Sequence, residues 1–204
     1  MRYPNYSHEN KILSQGFTLI AGLDEAGRGA WAGPIVAGAV ILNPEVKIRG
    51  LKDSKLLCTK AREELFAEIA AKALGWAAGI ISEKKIDQQG LGWANLAAMR
   101  LALKNLSPQP DHLLIDAVKL NYENLPSLSI IDGDYKITSI AAASIVAKVT
   151  RDRLMIELHE KYPEYNFDRH KGYGTAGHYQ MIFRHGLCAL HRRSFRPMRN
   201  LGHQ

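Results

Sequence analysis

The stretch AGLDEAGRGAWAGPIVAGAVIL, residues 21–42, sets two adjacent acids, Asp24 and Glu25, and one guanidinium, Arg28, between segments that read as core. Carboxylates are costly to desolvate, so a fold that brings them into its interior needs something there to compensate their charge. The uncharged run from Gly29 to Pro44 is too short to span a bilayer and is broken by Gly33, Pro34 and Gly38. Residues 17–23, FTLIAGL, carry apolar side chains on both faces and read as a central strand ending in the two acids. Residues 34–42, PIVAGAVIL, read as a second strand entered at Pro34. The short link between them favours an antiparallel pair.

The same patterns continue along the chain. A helix over 59–74 has Leu65, Phe66, Ile69 and Ala73 on one face and Thr59 as its N-cap. Residues 75–82 give a third strand, and 91–106 a second helix stopped before Pro108. HLLID (112–116) is a buried strand ending in Asp116. SLSIIDGD (127–134) is a fifth strand, also read as buried, running into Asp134. Residues 136–162 form a long helix, apolar all round in its first half and amphipathic in its second. Beyond Pro163 the sequence is Gly- and His-rich loop with one helix around 175–185. Strands first, then strands alternating with helices, predict an α/β domain with a mixed sheet and a helical C-terminal appendage.

Charge is uneven. Residues 1–147 hold 16 basic and 15 acidic residues, whereas 148–204 hold 11 basic and 5 acidic, within a formal net charge of +7. A basic last quarter on a nearly neutral body suits a polyanionic partner such as nucleic acid, or a solubilising surface. The two cysteines, Cys58 and Cys188, form no CxxC pair, and MRYPNYSHEN has no signal-peptide pattern. Both point to a reducing cytoplasm and give no zinc framework. His170, His178, His185 and His191 show no helical metal spacing.

Asp24-Glu25, Asp116 and Asp134 each follow an apolar strand. Any one of them alone reads as a cap or turn former, and Asp132 competes with Asp134 for that place. The threefold recurrence reverses that reading. Strands of one sheet can gather such ends, and gathered carboxylates require a cation. An all-oxygen set selects Mg2+ or Mn2+, and two such ions about 4 Å apart would clamp the attacking and leaving oxygens of a phosphodiester. Gly27-Arg28-Gly29 lets a ligand approach the backbone and offers a guanidinium for phosphate, or is a turn with a surface arginine. Lys55, the glycine-flanked Tyr173 in HKGYGT, and Arg192 and Arg193 in LHRRSFRPMR carry weaker readings of the same kind.

Taken together, GLDEAGRGAWAGPIVAGAV, GLKDSKLL, LLIDAV, GDYKITSIAAASIVAKVTRD, HKGYGT and LHRRSF resemble the ribonuclease HII family, the type 2 bacterial ribonucleases H, over about Leu19 to Phe195. The resemblance implies one ribonuclease H-like domain over 1–204: a mixed sheet flanked by helices, with a core at about 17–160 and a C-terminal segment at about 161–204. It implies a catalytic and metal-binding set on Asp24, Glu25, Asp116 and Asp134 with Mn2+ or Mg2+. It further implies cleavage of the RNA strand of RNA–DNA hybrids and incision at single ribonucleotides in duplex DNA, by a monomer. Gly27, Arg28 and Gly29 match the family's ribose-reading segment, and Tyr173 matches its junction-sensing tyrosine. Three positions depart from the family pattern: Leu56 stands for a lysine, Ala117 for a glycine and Ala189 for a proline. None removes a catalytic oxygen.

Two other readings compete. Another ribonuclease H-like nuclease, such as a junction resolvase or a type 1 enzyme, does not need GRG and the KGYGT tyrosine. A non-catalytic nucleic-acid-binding module has no use for carboxylates that repel phosphate.

Overall fold

The computed structural model describes residues 3–201; the outermost residues of the domain expected over 1–204 lie outside the described part. A short helix α1 (Ser7–Leu13) precedes strands β1 (Ile20–Ala26) and β2 (Ile35–Ile41). Then come α2 (Thr59–Lys72), β3 (Gly75–Ile81), α3 (Glu83–Gln89), α4 (Leu91–Asn105), β4 (His112–Asp116) and β5 (Ser127–Ile130). A helical turn α5 (Gly133–Lys136) leads into the long α6 (Thr138–Lys161). The C-terminal segment holds α7 (Phe167–His170), α8 (Ala176–His185) and α9 (Arg196–Leu201). None of the described helices is long and apolar enough to cross a membrane.

The sheet has the order β3-β2-β1-β4-β5. β1 pairs antiparallel with β2, and β2 with β3, as the short links require; β4 runs parallel to β1, and β5 to β4. Helix α4 covers one face, where Leu23, Ile35, Ile41, Met99, Leu103 and Ile115 share a core. Helix α6 covers the other with Ala141, Ala142, Ile145 and Val146. It lies close because the strand residues beneath it are glycines: a Cβ on Gly22 would collide with the backbone of Ser139, and one on Gly38 with the carbonyl of Ala143. An apolar N-terminal half on α6 is therefore a contact surface pressed onto backbone, and its alanines are small for that reason.

Three sequence expectations change. β1 runs through the two acids instead of ending before them, because its pairing with β2 continues to Ala26 opposite Val36. β5 is a short exposed edge strand, not a buried one; Ser127, Leu128 and Ser129 are all exposed, and Asp134 belongs to the turn α5. Thr59 is the first helical residue of α2, with Cys58 in the N-cap position.

Candidate active site

β1 and β4 run parallel with Leu23 beside Ile115, and this pairing stops there. The next residues on the two strands are Asp24 and Asp116. Asp24 is also registered with Gly38, which faces α6, so period-two alternation points Asp24 at α6 and Glu25 at the α4 side. The acids thus sit where the central strand loses one neighbour.

Asp134 reaches the same place from α5. That turn is fixed by Asp116, whose Oδ1 accepts the Gly133 N–H at 2.7 Å. The sequence left Asp132 and Asp134 as competitors, and the structure separates them. Asp132 is exposed in a left-handed conformation (φ 55°), while Asp134 is buried. Ala117, directly after Asp116, also has a positive φ of 51°. This position favours the glycine found in the family pattern.

Asp24, Glu25, Asp116, the 27–29 loop, Lys55, Ser54 and Tyr173 open onto one pocket of about 480 Å3, with Ser144 and Lys148 of α6 in its wall; Asp134 stands behind Lys55, 3.6 Å from its Nζ. Burial, then the charges of Glu25 and Asp116, raise the Asp24 pKa well above the usual range. Burial also raises Glu25; Arg28, with Nη1 3.5 Å from Oε1, and Asn95 of α4 oppose the shift. Asp116 is raised by burial despite its bond to Gly133. Asp134 is raised to about 6 by burial and by Asp53. Partial desolvation works against the Lys55 ammonium, but Asp53, Asp134 and Asp24 outweigh it, and its pKa rises. Its Nζ lies 3.8 Å from Asp53 and 3.6 Å from Asp134.

Two residues here escaped the sequence reading. Asp53 is fully buried beside Lys55, yet in KDSK it looks like an ordinary loop acid. Lys148 is held by Asp152 at 2.7 Å, with its Nζ 5.3 Å from the Tyr173 ring centroid. The (i, i+4) spacing of Lys148 and Asp152 on a helix was the available signal.

The donors that face the pocket are hard oxygens. Glu25 Oε2 and Asp53 Oδ2 are buried without hydrogen-bond partners, so each carboxylate keeps acceptor capacity that its neighbouring cation, at the other oxygen, does not use. Among the described residues no group of three or more His, Cys, Asp or Glu side chains is already placed to hold a metal ion, so a cation here would draw part of its shell from water and substrate. The arrangement fits an open divalent-cation site with oxygen ligands and does not fit a structural one.

The two arginines of LHRRSF part company. Arg192 was expected at a phosphate; instead it is fully buried beneath the GRG loop. Its Nε donates to the Gly33 carbonyl, Nη1 to Arg28 and Nη2 to Pro34, at 2.9, 3.1 and 3.0 Å. Arg151 of α6 does the same for the carbonyls of Pro34, Lys171 and Ala32. Two buried guanidiniums therefore brace the pocket loops, and Arg192, fully buried against three backbone carbonyls, is not presented to a phosphate. Arg193 is exposed, its backbone N–H held by Asp87 at 2.8 Å.

The ribonuclease HII family profile matches residues 21–198. A ribonuclease HII of Acetivibrio thermocellus is 53% identical over 188 residues, covering 92% of this chain and 73% of that protein. The crystal structure of the ribonuclease H2 from Pyrococcus horikoshii superposes with a TM-score of 0.77 at 27% identity, covering 91% of this chain and 98% of that one. Bst-RNase HIII in complex with Mn2+ shares the fold at a TM-score of 0.66 and 17% identity, over 91% of this chain and 69% of that one. The chain belongs to the ribonuclease HII family and is a ribonuclease H, an endonuclease acting on RNA–DNA hybrids.

Proposed function

We propose that the pocket hydrolyses the RNA strand of hybrids and also incises duplex DNA on the 5′ side of a single embedded ribonucleotide, leaving 5′-phosphate and 3′-OH ends. The observation that carries this reading is the meeting, in one pocket, of the carboxylate group, a glycine with no structural reason to be glycine, and a tyrosine ring. Gly27 has φ 91°, and a Cβ there would collide with Arg151. Gly29 is exposed and lacks a positive φ, and a Cβ on it would meet nothing within 4 Å. Its missing side chain leaves room for something outside the protein, and a ribose 2′-OH, both donor and acceptor, suits exposed backbone groups.

In this reading Asp24, Glu25, Asp116 and Asp134 hold the cations, and Arg28, Lys55, Lys148 and Arg193 meet backbone phosphates. Mn2+ or Mg2+ bound there would supply Lewis acidity for attack by water and a counter-charge for the leaving oxygen. Tyr173, half-buried with its ring over Arg151 and Lys148, packs against the next sugar on the 3′ side. A deoxyribose fits there, while a 2′-OH crowds the ring. The rigid strands keep the acids in place relative to that sugar, as in-line displacement demands.

A sequencing-gel assay tests this on an RNA–DNA hybrid and on a duplex with one ribonucleotide, each with Mg2+, Mn2+ or chelator. Cutting of both, 5′ of the lone ribonucleotide and only with metal, is the expected result. Cutting of the hybrid alone contradicts the junction reading, and cutting in chelator contradicts the metal reading.

A further inference from the structure

Outside the catalytic pocket, the C-terminal segment buries a group of histidines that no step above uses. His178 of α8 and His191 are almost fully buried, with their Nε2 atoms 3.1 Å apart. The surrounding bonds leave one consistent arrangement of protons. The Cys188 backbone N–H points at His191 Nδ1 at 3.0 Å, so that nitrogen is the acceptor and the His191 proton is on Nε2. His191 Nε2–H therefore donates to His178 Nε2, and the His178 proton is on Nδ1. His178 Nδ1 lies 3.0 Å from the carbonyl of Tyr173 and donates to it. Each ring nitrogen is engaged, His191 Nδ1 also lying 3.2 Å from Cys188 Sγ, and the chain of bonds runs in a single direction from Cys188 to Tyr173.

His170 holds the other side of the same peptide segment. Its ring stacks on His178 with centroids 4.2 Å apart and 16° between planes. Its Nδ1 accepts the Gly172 N–H at 3.1 Å, and its Nε2 donates to the Tyr165 carbonyl at 2.7 Å. On the far side the Gly172 carbonyl accepts the N–H groups of Trp31 and Ala32. A Cβ on Gly174 would collide with the Trp31 ring. The backbone on both sides of Tyr173 is thus fixed from the protein interior, while its ring faces the pocket.

We propose that His191 and His178 are positioning residues: their hydrogen-bond relay sets the placement of Tyr173 and through it the selection of the RNA–DNA junction. The inference rests on the reading of Tyr173 given above. Neither histidine touches substrate. Burial lowers both pKa values, His178 to about 3 and His191 to about 4, in keeping with a relay built from neutral rings.

The test compares His178→Leu, which removes both bonds, with His178→Asn, whose side-chain amide can donate from the place of Nδ1 to the Tyr173 carbonyl. Steady-state cleavage is measured on the hybrid and on the single-ribonucleotide duplex, with circular dichroism as a check on folding. His178→Leu should lose at least tenfold more kcat on the single ribonucleotide than on the hybrid, with KM nearly unchanged. His178→Asn should recover most of that loss. Adding Tyr173→Ala to His178→Leu should cost little more, because both changes remove the same placement. Equal losses on both substrates, no recovery by Asn, or losses that multiply would overturn the relay. If His178→Leu fails to fold, His191→Gln, which keeps a donor at the Nε2 position, carries the same comparison against His191→Leu. Nitrogen-15 NMR of the wild-type rings reads the relay without any substrate. The predicted tautomers are Nε2–H for His191 and Nδ1–H for His178, and the reverse pair refutes the relay. A wild-type chain that ignores the single ribonucleotide refutes the junction reading instead, and the NMR result then still decides the relay.

Discussion

The carboxylate end of the sheet and the histidine–arginine layer behind the GRG loop are both buried polar clusters, and burial pushes both toward neutrality. At the sheet end the acids rise: Asp24, Glu25, Asp116 and Asp134 all have raised pKa values. Behind the loop the imidazoles of His178 and His191 fall, to about 3 and about 4. What separates the two is satisfaction. Arg151 and Arg192 each donate to three carbonyls, and the His178–His191 pair uses every ring nitrogen. The acids repel one another, and Glu25 and Asp53 each keep an oxygen without a partner. The contrast teaches how to tell the two apart: the satisfied cluster has the character of scaffold, and the frustrated one is where the proposed function puts cations and substrate.

The largest effect should come from the frustrated side. Asp24→Asn keeps the side-chain shape and removes one negative charge, so cleavage of a hybrid should fall by orders of magnitude while the circular dichroism spectrum stays that of the wild type. Near wild-type turnover in this variant would erase the distinction between the two clusters.

On the satisfied side the effect should appear in stability instead. Arg192→Met removes the donor to the Gly33 and Arg28 carbonyls and one of the two donors to Pro34, and should cost about 3 kcal/mol in urea unfolding. Arg193→Ala should change stability by less than about 0.5 kcal/mol and lower the slope of log affinity against log salt by about one. If the two arginines exchange these phenotypes, the assignment of Arg192 to scaffold is wrong.

Acid sharpens the comparison because the clusters respond with opposite sign. The histidines have folded-state pKa values below the ordinary 6.5, so below that pH the unfolded chain binds more protons. Their contribution to stability is complete above about 6.5 and is lost as pH falls toward about 4 and about 3, at about 1.4 kcal/mol per pH unit for each proton. The carboxylates act the other way. Asp134, raised to about 6, favours the folded chain as it takes up a proton below that value. Chemical denaturation between pH 4 and 7 should therefore show a steeper acid loss in Asp134→Asn than in wild type. An identical slope in both would mean that Asp134 titrates as it does in the unfolded chain.

A smaller test uses Ala117, strained at φ 51° beside Asp116. Ala117→Gly should raise stability by about 1 kcal/mol in thermal or urea unfolding, and a loss would show that the methyl group contributes packing there.

Much of the frame was legible from period alone. β2, β4, α4 and the long α6 fall within a residue or two of where apolar patterning puts them, because a core strand or a buried helix face imposes that pattern on its own segment. Asp24, Glu25 and Asp116 stood out because acids are rare in such runs. The misses share a physical cause. The edge strand β5 and the short helices α1 and α3 have too little buried surface to write a period. Arg192 looked like a phosphate ligand because sequence shows a charge but not the three carbonyls, 158 to 164 residues away, that enclose it. His178 and His191 meet through tertiary packing across 13 residues and leave no local trace.

The central claim is that the acids are held together at a cost that cations remove. Thermal melting of wild type and Asp24→Asn, each in chelator and in Mn2+, with cleavage measured on the same samples, tests it most directly. The account predicts that Asp24→Asn melts higher than wild type in chelator, gains less from Mn2+, and does not cleave. An Asp24→Asn chain that melts lower than wild type in chelator, or that cleaves as well as wild type in Mn2+, would contradict it.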